Sequence, residues 1–175
     1  MNETIKTLIG RRSIRKYKAE MPKKDDLEQI VTAGLYAASA RGCQSAKILV
    51  VTNPELRARL SEMNRKIGGW NEGFDPFYGA PVIFIVLEPK DWGNRVYDGS
   101  LAMGNLMVAA HSLGLGSIWV HRAKEEFESD EGKKILKELG IEGEWEGIGH
   151  CAVGYADCET PKAEERKPNR VLWAE

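Results

Sequence analysis

The sequence predicts a single α+β domain spanning residues 1–175. Three observations carry that expectation. Short continuous apolar runs of strand type stand at Ile48–Val51 and Pro81–Leu87, longer segments around them carry helical periodicity, and the order of the two lacks the regular alternation of a doubly wound sheet. The chain has 175 residues, enough for one real core, and 42% of them are hydrophobic, an ordinary share for a globular fold. Twenty-five basic and 26 acidic residues leave a formal charge of −1. No overall field therefore draws the chain to nucleic acid or to an anionic membrane. No apolar run approaches the roughly 20 residues that span a bilayer, and the N-terminus lacks a signal-type apolar stretch, so the expected place is the cytoplasm. Three cysteines at irregular spacing read as free thiols in a reducing compartment.

Taken in order, Asn2 is a helix cap, and Ile5, Leu8 and Ile9 form the apolar face of a first helix ended by Gly10. Pro22 interrupts an extended piece. Leu27, Ile30, Val31, Gly34 and Leu35 then mark a second helix with Asp25 and Asp26 in its first turn. Ile48–Val51 reads as a buried strand, and Asn53-Pro54 starts a third helix with Leu56, Leu60 and Met63 inward. Pro81–Leu87 is a second buried strand, and Asp91–Tyr97 a polar connector. From Leu101 to Leu113 apolar residues run nearly all round a helix, with Ala102, Gly104, Ala109 and Ala110 permitting close approach, as in a central or interface helix. Ile118–Val120 is a short strand, Ser129–Leu139 a helix closed by Gly140, and Cys151–Tyr155 a last strand. The segment 158–175 is rich in proline and charge, with Trp173 as an aromatic anchor near its end, and reads as an arm.

Two stretches carry chemistry. Arg11-Arg12-Ser13-Ile14-Arg15-Lys16-Tyr17 sets one hydroxyl among three arginines, whose planar forks match phosphate oxygens and stay charged at any working pH. Gly68-Gly69-Trp70-Asn71-Glu72-Gly73-Phe74 joins glycines to aromatic rings where no core element is expected, and reads as a binding loop. His111 and His150 have no cysteine or carboxylate at metal spacing, so no metal site is expected.

The first of these stretches, with Ala37–Gln44, Lys47–Val51, Gly79–Ile83, the helix Asp98–Met107, Gly114–Trp119 and Arg166–Pro168, resembles in order and spacing the FMN-dependent nitroreductase family over nearly the whole chain. The resemblance implies three layers, a central mixed and mainly antiparallel sheet flanked by helices, in a homodimer whose C-terminal arms are exchanged. It implies FMN as cofactor, NAD(P)H as hydride donor, and a small electron-poor acceptor such as a nitroaromatic or quinone. Arg11, Arg12, Ser13 and Arg15 match the phosphate, ribityl and pyrimidine-edge contacts, with Arg166 and Lys167 completing the phosphate site. Ala38, Ser39 and Ala40 match a loop that reaches the flavin of the partner subunit, and Asn71 a ring-edge contact. The main chain at His121 and Arg122 falls where the family turns an N–H toward the redox-active ring nitrogen. No side chain is expected to act as catalytic acid or base. Departures fall in one loop: Ala38 replaces a proline, Gly42 an asparagine, and Ser45-Ala46 a proline-tryptophan pair. They leave open a second reading, a flavin-binding store or redox sensor without turnover. Cys43, in the same loop, is expected to be a buried, inert thiol.

Overall fold

Seven consecutive residues without a solvent-facing position, Val82 to Glu88, form the middle of the fold. In the computed structural model, which describes residues 1–175, they belong to the strand β2 (Val82–Pro89) of a four-stranded sheet with β1 (Lys47–Val51), β3 (Gly116–Val120) and β4 (Trp145–Gly154). The order is β1-β2-β4-β3, and every strand pair is antiparallel. The mixed character expected of the sheet is confined to one isolated parallel bridge, Ser13 with Ser117.

Alternation along β2 sorts the core. Val82, Phe84 and Val86 face one side, where they meet Leu27 and Ile30 of α2 (Lys24–Leu35) and Met103 and Leu106 of α4 (Arg95–Ser112). Ile83, Ile85 and Leu87 face the other, against Leu60 of α3 (Pro54–Gly68), Phe127 of α5 (Ala123–Glu128) and Ile135 of α6 (Asp130–Glu138). The result is the expected three-layer α+β arrangement. Each of these fully buried side chains contributes about 1.5–3 kcal/mol. α1 (Glu3–Gly10) lies outside both clusters. Asn2 caps it by accepting from Ile5 N at 3.0 Å, as Asn53 caps α3 by accepting from Leu56 N at 2.9 Å.

Several elements depart from the expectation. β1 is an edge strand, so Ile48, Leu49 and Val50 are only half-buried. α4 starts at Arg95 inside the supposed polar connector, because Trp92 and Asn94 carbonyls accept from Arg95 and Asp98 N–H groups before the apolar run begins. β4 starts at Trp145, its first half disguised by Glu146, Gly147 and Gly149. α5 was unforeseen. Leu139, at the end of the helix expected over Ser129–Leu139, is exposed. Residues 158–175 form no helix or strand, and Val171, Leu172 and Trp173 expose their side chains. No helix is long and apolar enough to cross a membrane.

The α5–α6 corner depends on Gly132, where a Cβ would lie 1.9 Å from the Glu126 carbonyl oxygen. Backbone cannot swing aside as a side-chain tip can. Gly132→Ala should therefore destabilise the protein by about 1–3 kcal/mol, read as a lower urea midpoint at unchanged slope. An unmoved midpoint would show that the corner is looser than described.

Candidate functional site

Beyond Gly10 the chain is extended and runs along the free edge of β3. Ser13 bridges to Ser117, Ile14 N donates to the Ser117 carbonyl at 3.1 Å, and Ile14 sits on Gly116, where a Cβ would approach its Cγ1 to 2.8 Å. Tyr17 pins the far end: its buried hydroxyl donates to the Ile14 and Ala152 carbonyls at 3.0 and 3.2 Å. Just ahead of these points, between α1 and the Ser13 bridge, Arg11 and Arg12 are half-buried. Arg12 Nη1 donates to the Ile9 and Arg11 carbonyls, but Arg12 Nε and Arg11 Nη1 are buried without a partner. Unpaired buried guanidinium donors are costly, and an anion would satisfy them. Arg15 is exposed, and a cleft of about 160 Å³ opens beside Arg12, lined by His111, Ser117 and Thr160. Nearby, burial pushes the Cys151 thiol up to about 12, partly offset by Arg11, so it stays protonated.

The other end of β3 carries the second half. After Val120 the chain turns through His121, exposed, and Arg122, whose φ of 79° is a left-handed conformation uncommon outside glycine. The main-chain N–H groups of both residues make no hydrogen bond within the chain. Asn64 donates to the His121 carbonyl at 2.8 Å. The Arg122 guanidinium lies 4.3 Å from the centre of the Trp70 ring, a cation–π contact, and this draws the glycine-aromatic loop with exposed Asn71 to the turn. Arg65 holds the Trp70 carbonyl at 2.7 Å, and Phe74 packs on Trp70 at 5.0 Å. Asp75 closes the loop by accepting from Ser61, Phe77 N, Gly79 N and Arg57.

The loop Ala38–Ala46 lies elsewhere. Its anchor is Asp98, which accepts from Ala40 N at 3.0 Å, Trp92 Nε1 at 2.8 Å and the Cys43 thiol at 3.6 Å. Ser39 Oγ accepts from Gln44 N, and Arg41 and Gln44 adopt left-handed φ values of 57° and 50°. Cys43 is exposed, not buried as expected, because the loop lies on the surface over the start of α4, though the thiol reaches back to Asp98. Behind the loop is a cavity of about 150 Å³ floored by Glu88. Burial pushes the Glu88 carboxyl up, and its oxygens find no well-aligned partner.

One chain therefore unites only part of the expected set. The strand spacing puts Ser13 and His121, at opposite ends of β3, about 13 Å apart. Asn71 and Arg122 join the His121 end through Trp70. Ala38, Ser39 and Ala40 stand beside Glu88, at the opposite end of β2 from the Ser13 bridge, roughly 20 Å away along the strand. Arg166 bonds only to the Glu164 carbonyl of its own arm, and Lys167 is exposed. The sequence reading missed Asn64, Asp98, Glu126 and His150 as supports. The signal for Asp98 was present as a lone carboxylate at the start of an otherwise apolar helix. A carboxylate does touch His150: Glu126 Oε2 lies 2.9 Å from Nε2.

A model of the nitroreductase family matches residues 8–68 and 69–155. A protein of Archaeoglobus fulgidus named "Putative NADH dehydrogenase/NAD(P)H nitroreductase" is 29% identical over 98% of this chain and 97% of its own. The NADPH-flavin oxidoreductase of Vibrio harveyi is 24% identical over 98% of this chain and 73% of its own. Among solved structures, the nitroreductase with bound FMN from Bacteroides fragilis superposes with a TM-score of 0.90 at 27% identity, covering 100% of both chains.

Asp98 also predicts how the loop responds to pH. Burial alone would raise its carboxyl, but donation from Trp92, Ala40 and Cys43 outweighs that and holds it below its usual 3.8. A depressed acid stabilises the fold above its unfolded value and loses that contribution as pH falls through the folded one. Asp98→Asn should lower stability at neutral pH by about 1–3 kcal/mol. The gap to the native protein in urea unfolding should then close below about pH 4. A gap independent of pH would mean that the carboxylate charge does not hold the loop.

Proposed function

The chain belongs to the nitroreductase family, and from that membership we propose that it is an FMN-dependent oxidoreductase that reduces small electron-poor acceptors, such as nitroaromatics or quinones, with NAD(P)H. One observation carries the reading: a single short strand, β3, bears buried, unpartnered arginine donors beside one end and two unspent main-chain N–H groups at the other. That spacing suits a ligand with a phosphate at one end and a ring system at the other.

The residues fit such a cofactor. Arg11 and Arg12 have donors that a phosphate would satisfy, with Ser13 and Arg15 beside them for the ribityl chain and pyrimidine edge. The His121 and Arg122 N–H groups would face the redox-active ring nitrogen, and Asn71 the ring edge. Held by these residues, FMN would supply the hydride-accepting and electron-donating chemistry between NAD(P)H and the acceptor. The chain's own work is to bind, orient and shield. No side chain at the turn is needed as acid or base, since the contact is made by backbone.

The remaining residues of the set act through a second copy of the chain. Ile5, Leu8 and Ile9 on α1, Leu35 and Tyr36 at the end of α2, and Tyr97 and Leu101 on α4 all expose large apolar side chains. Such a surface is in keeping with a homodimer. Within it Ala38, Ser39 and Ala40 would reach the partner's flavin, and the arm 158–175, anchored by Trp173, would carry Arg166 and Lys167 to a phosphate. The three free cysteines accord with the cytoplasm.

Arg11→Gln removes a charge-assisted bond and should weaken FMN binding by about 1.5 kcal/mol or more, with the fold retained. His121→Ala should keep FMN content and hold turnover within about threefold, because only the side chain is lost. Flavin titration and steady-state kinetics on the two variants test both statements. Unchanged FMN affinity in the first, or a hundredfold loss of turnover in the second, would overturn the assignment.

A further inference from the structure

Three successive carbonyls at the end of β3 are held from the inside of the molecule. His150 Nδ1 lies 3.2 Å from the Val120 oxygen, Asn64 Nδ2 donates to the His121 oxygen at 2.8 Å, and the Glu126 N–H donates to the Arg122 oxygen at 2.9 Å. The Asn64 and His150 side chains are in turn joined through the side chain of Glu126. Asn64 Nδ2 donates its second hydrogen to Glu126 Oε1, and Glu126 Oε2 meets His150 Nε2 at 2.9 Å. Asn64, Glu126 and His150 are each fully buried, and they come from three elements, α3, α5 and β4.

The proton count follows from the partners. A carbonyl only accepts, so His150 Nδ1 carries a hydrogen. The hydrogen between Nε2 and Glu126 then belongs to one or the other, and the pair is neutral overall in both cases, which is what full burial demands. The geometric consequence lies in the peptide plane. In a trans peptide the C=O of one residue and the N–H of the next point in opposite directions. Holding the Val120 and His121 oxygens inward therefore turns the His121 and Arg122 N–H groups outward, where they find no partner in the chain.

We infer that Asn64 and His150, tied together by the Glu126 carboxyl group, are positioning residues whose hydrogen bonds to the β3–α5 turn aim its main-chain N–H donors at the flavin ring. The inference rests on the FMN reading above. It assigns to three side chains, none of which touches the cofactor, control over a contact made by backbone.

The test compares binding of FMN with that of its analogue in which the redox-active ring nitrogen is replaced by C–H, so that the N–H meets a hydrogen instead of an acceptor while the phosphate and ribityl chain stay the same. The native protein should prefer FMN by about tenfold. In Asn64→Leu the preference should fall to within about twofold, while affinity for the analogue stays within about threefold of native. Glu126→Gln should keep the full preference, because glutamine can accept from Asn64 and donate to neutral His150 Nε2. If the leucine variant does not fold, Asn64→Ala reads the same ratio with less crowding. A preference that survives in the Asn64 variants, or that is lost in Glu126→Gln, overturns the positioning role. Equal binding of both flavins by the native protein would instead overturn the underlying placement of the ring nitrogen at this turn.

Discussion

The antiparallel ladder between β3 and β4 determines where both halves of the site stand. Five residues, Gly116 to Val120, pair with Gly154 to His150, and the free edge of that strand accepts the extended segment that follows α1. Residues at the two ends of a strand cannot approach or separate without breaking the ladder, so the arginine cluster and the His121 turn keep a fixed spacing. The inner face of β3 packs Ile118 and Val120 into the core against Ala123 and Phe127, which seats the turn into α5 as firmly as the strand itself. Rigid placement of this kind suits a site in which the cofactor supplies the reactivity and the protein supplies geometry.

Around this frame the polar groups fall into two kinds. Glu126, His150, Asp98 and the Asn64 amide nitrogen are buried and spend their hydrogen bonds on backbone or on neighbouring side chains. Arg11 and Arg12, by contrast, retain donors that nothing in the chain satisfies. Buried polar groups are nearly always paired, so the exceptions point to what the fold is built to receive. The loop Ala38–Ala46 follows the same logic at the opposite end of the sheet. Asp98 fixes its backbone through three donors, while Ala38 at its outer surface stays exposed.

Much of this was legible in the sequence, for physical reasons that differ by element. The continuous apolar run of β2 and the Asn53-Pro54 start of α3 are unambiguous local signals, and the arginine cluster announces its chemistry by composition. α5 gave no such signal: its six residues, Ala-Lys-Glu-Glu-Phe-Glu, bury Glu126 beside Ala123 and Phe127 and are too short to show a helical period. The first half of β4 was hidden because close packing against α5 requires glycine at position 147, where a Cβ would come within 2.3 Å of the Ala123 carbonyl oxygen. The supports of the site were hidden for a further reason. Asn64, Glu126 and His150 are far apart in sequence, and only the packing of α3, α5 and β4 shows that they meet. The exposure of Cys43 could not be read locally either, since it depends on how Asp98 holds the loop.

A flavin bound in this arrangement and reduced and reoxidised in two separate steps can be followed directly. Rapid mixing of the FMN-loaded protein, first with NADH or NADPH and then with a quinone, observes each step by the flavin's visible absorbance. Bleaching by at least one nucleotide is expected in the absence of acceptor, followed by full recovery of the yellow colour when the quinone is added to the nucleotide-free reduced protein. Protein that retains FMN yet is bleached by neither nucleotide would contradict the proposed function.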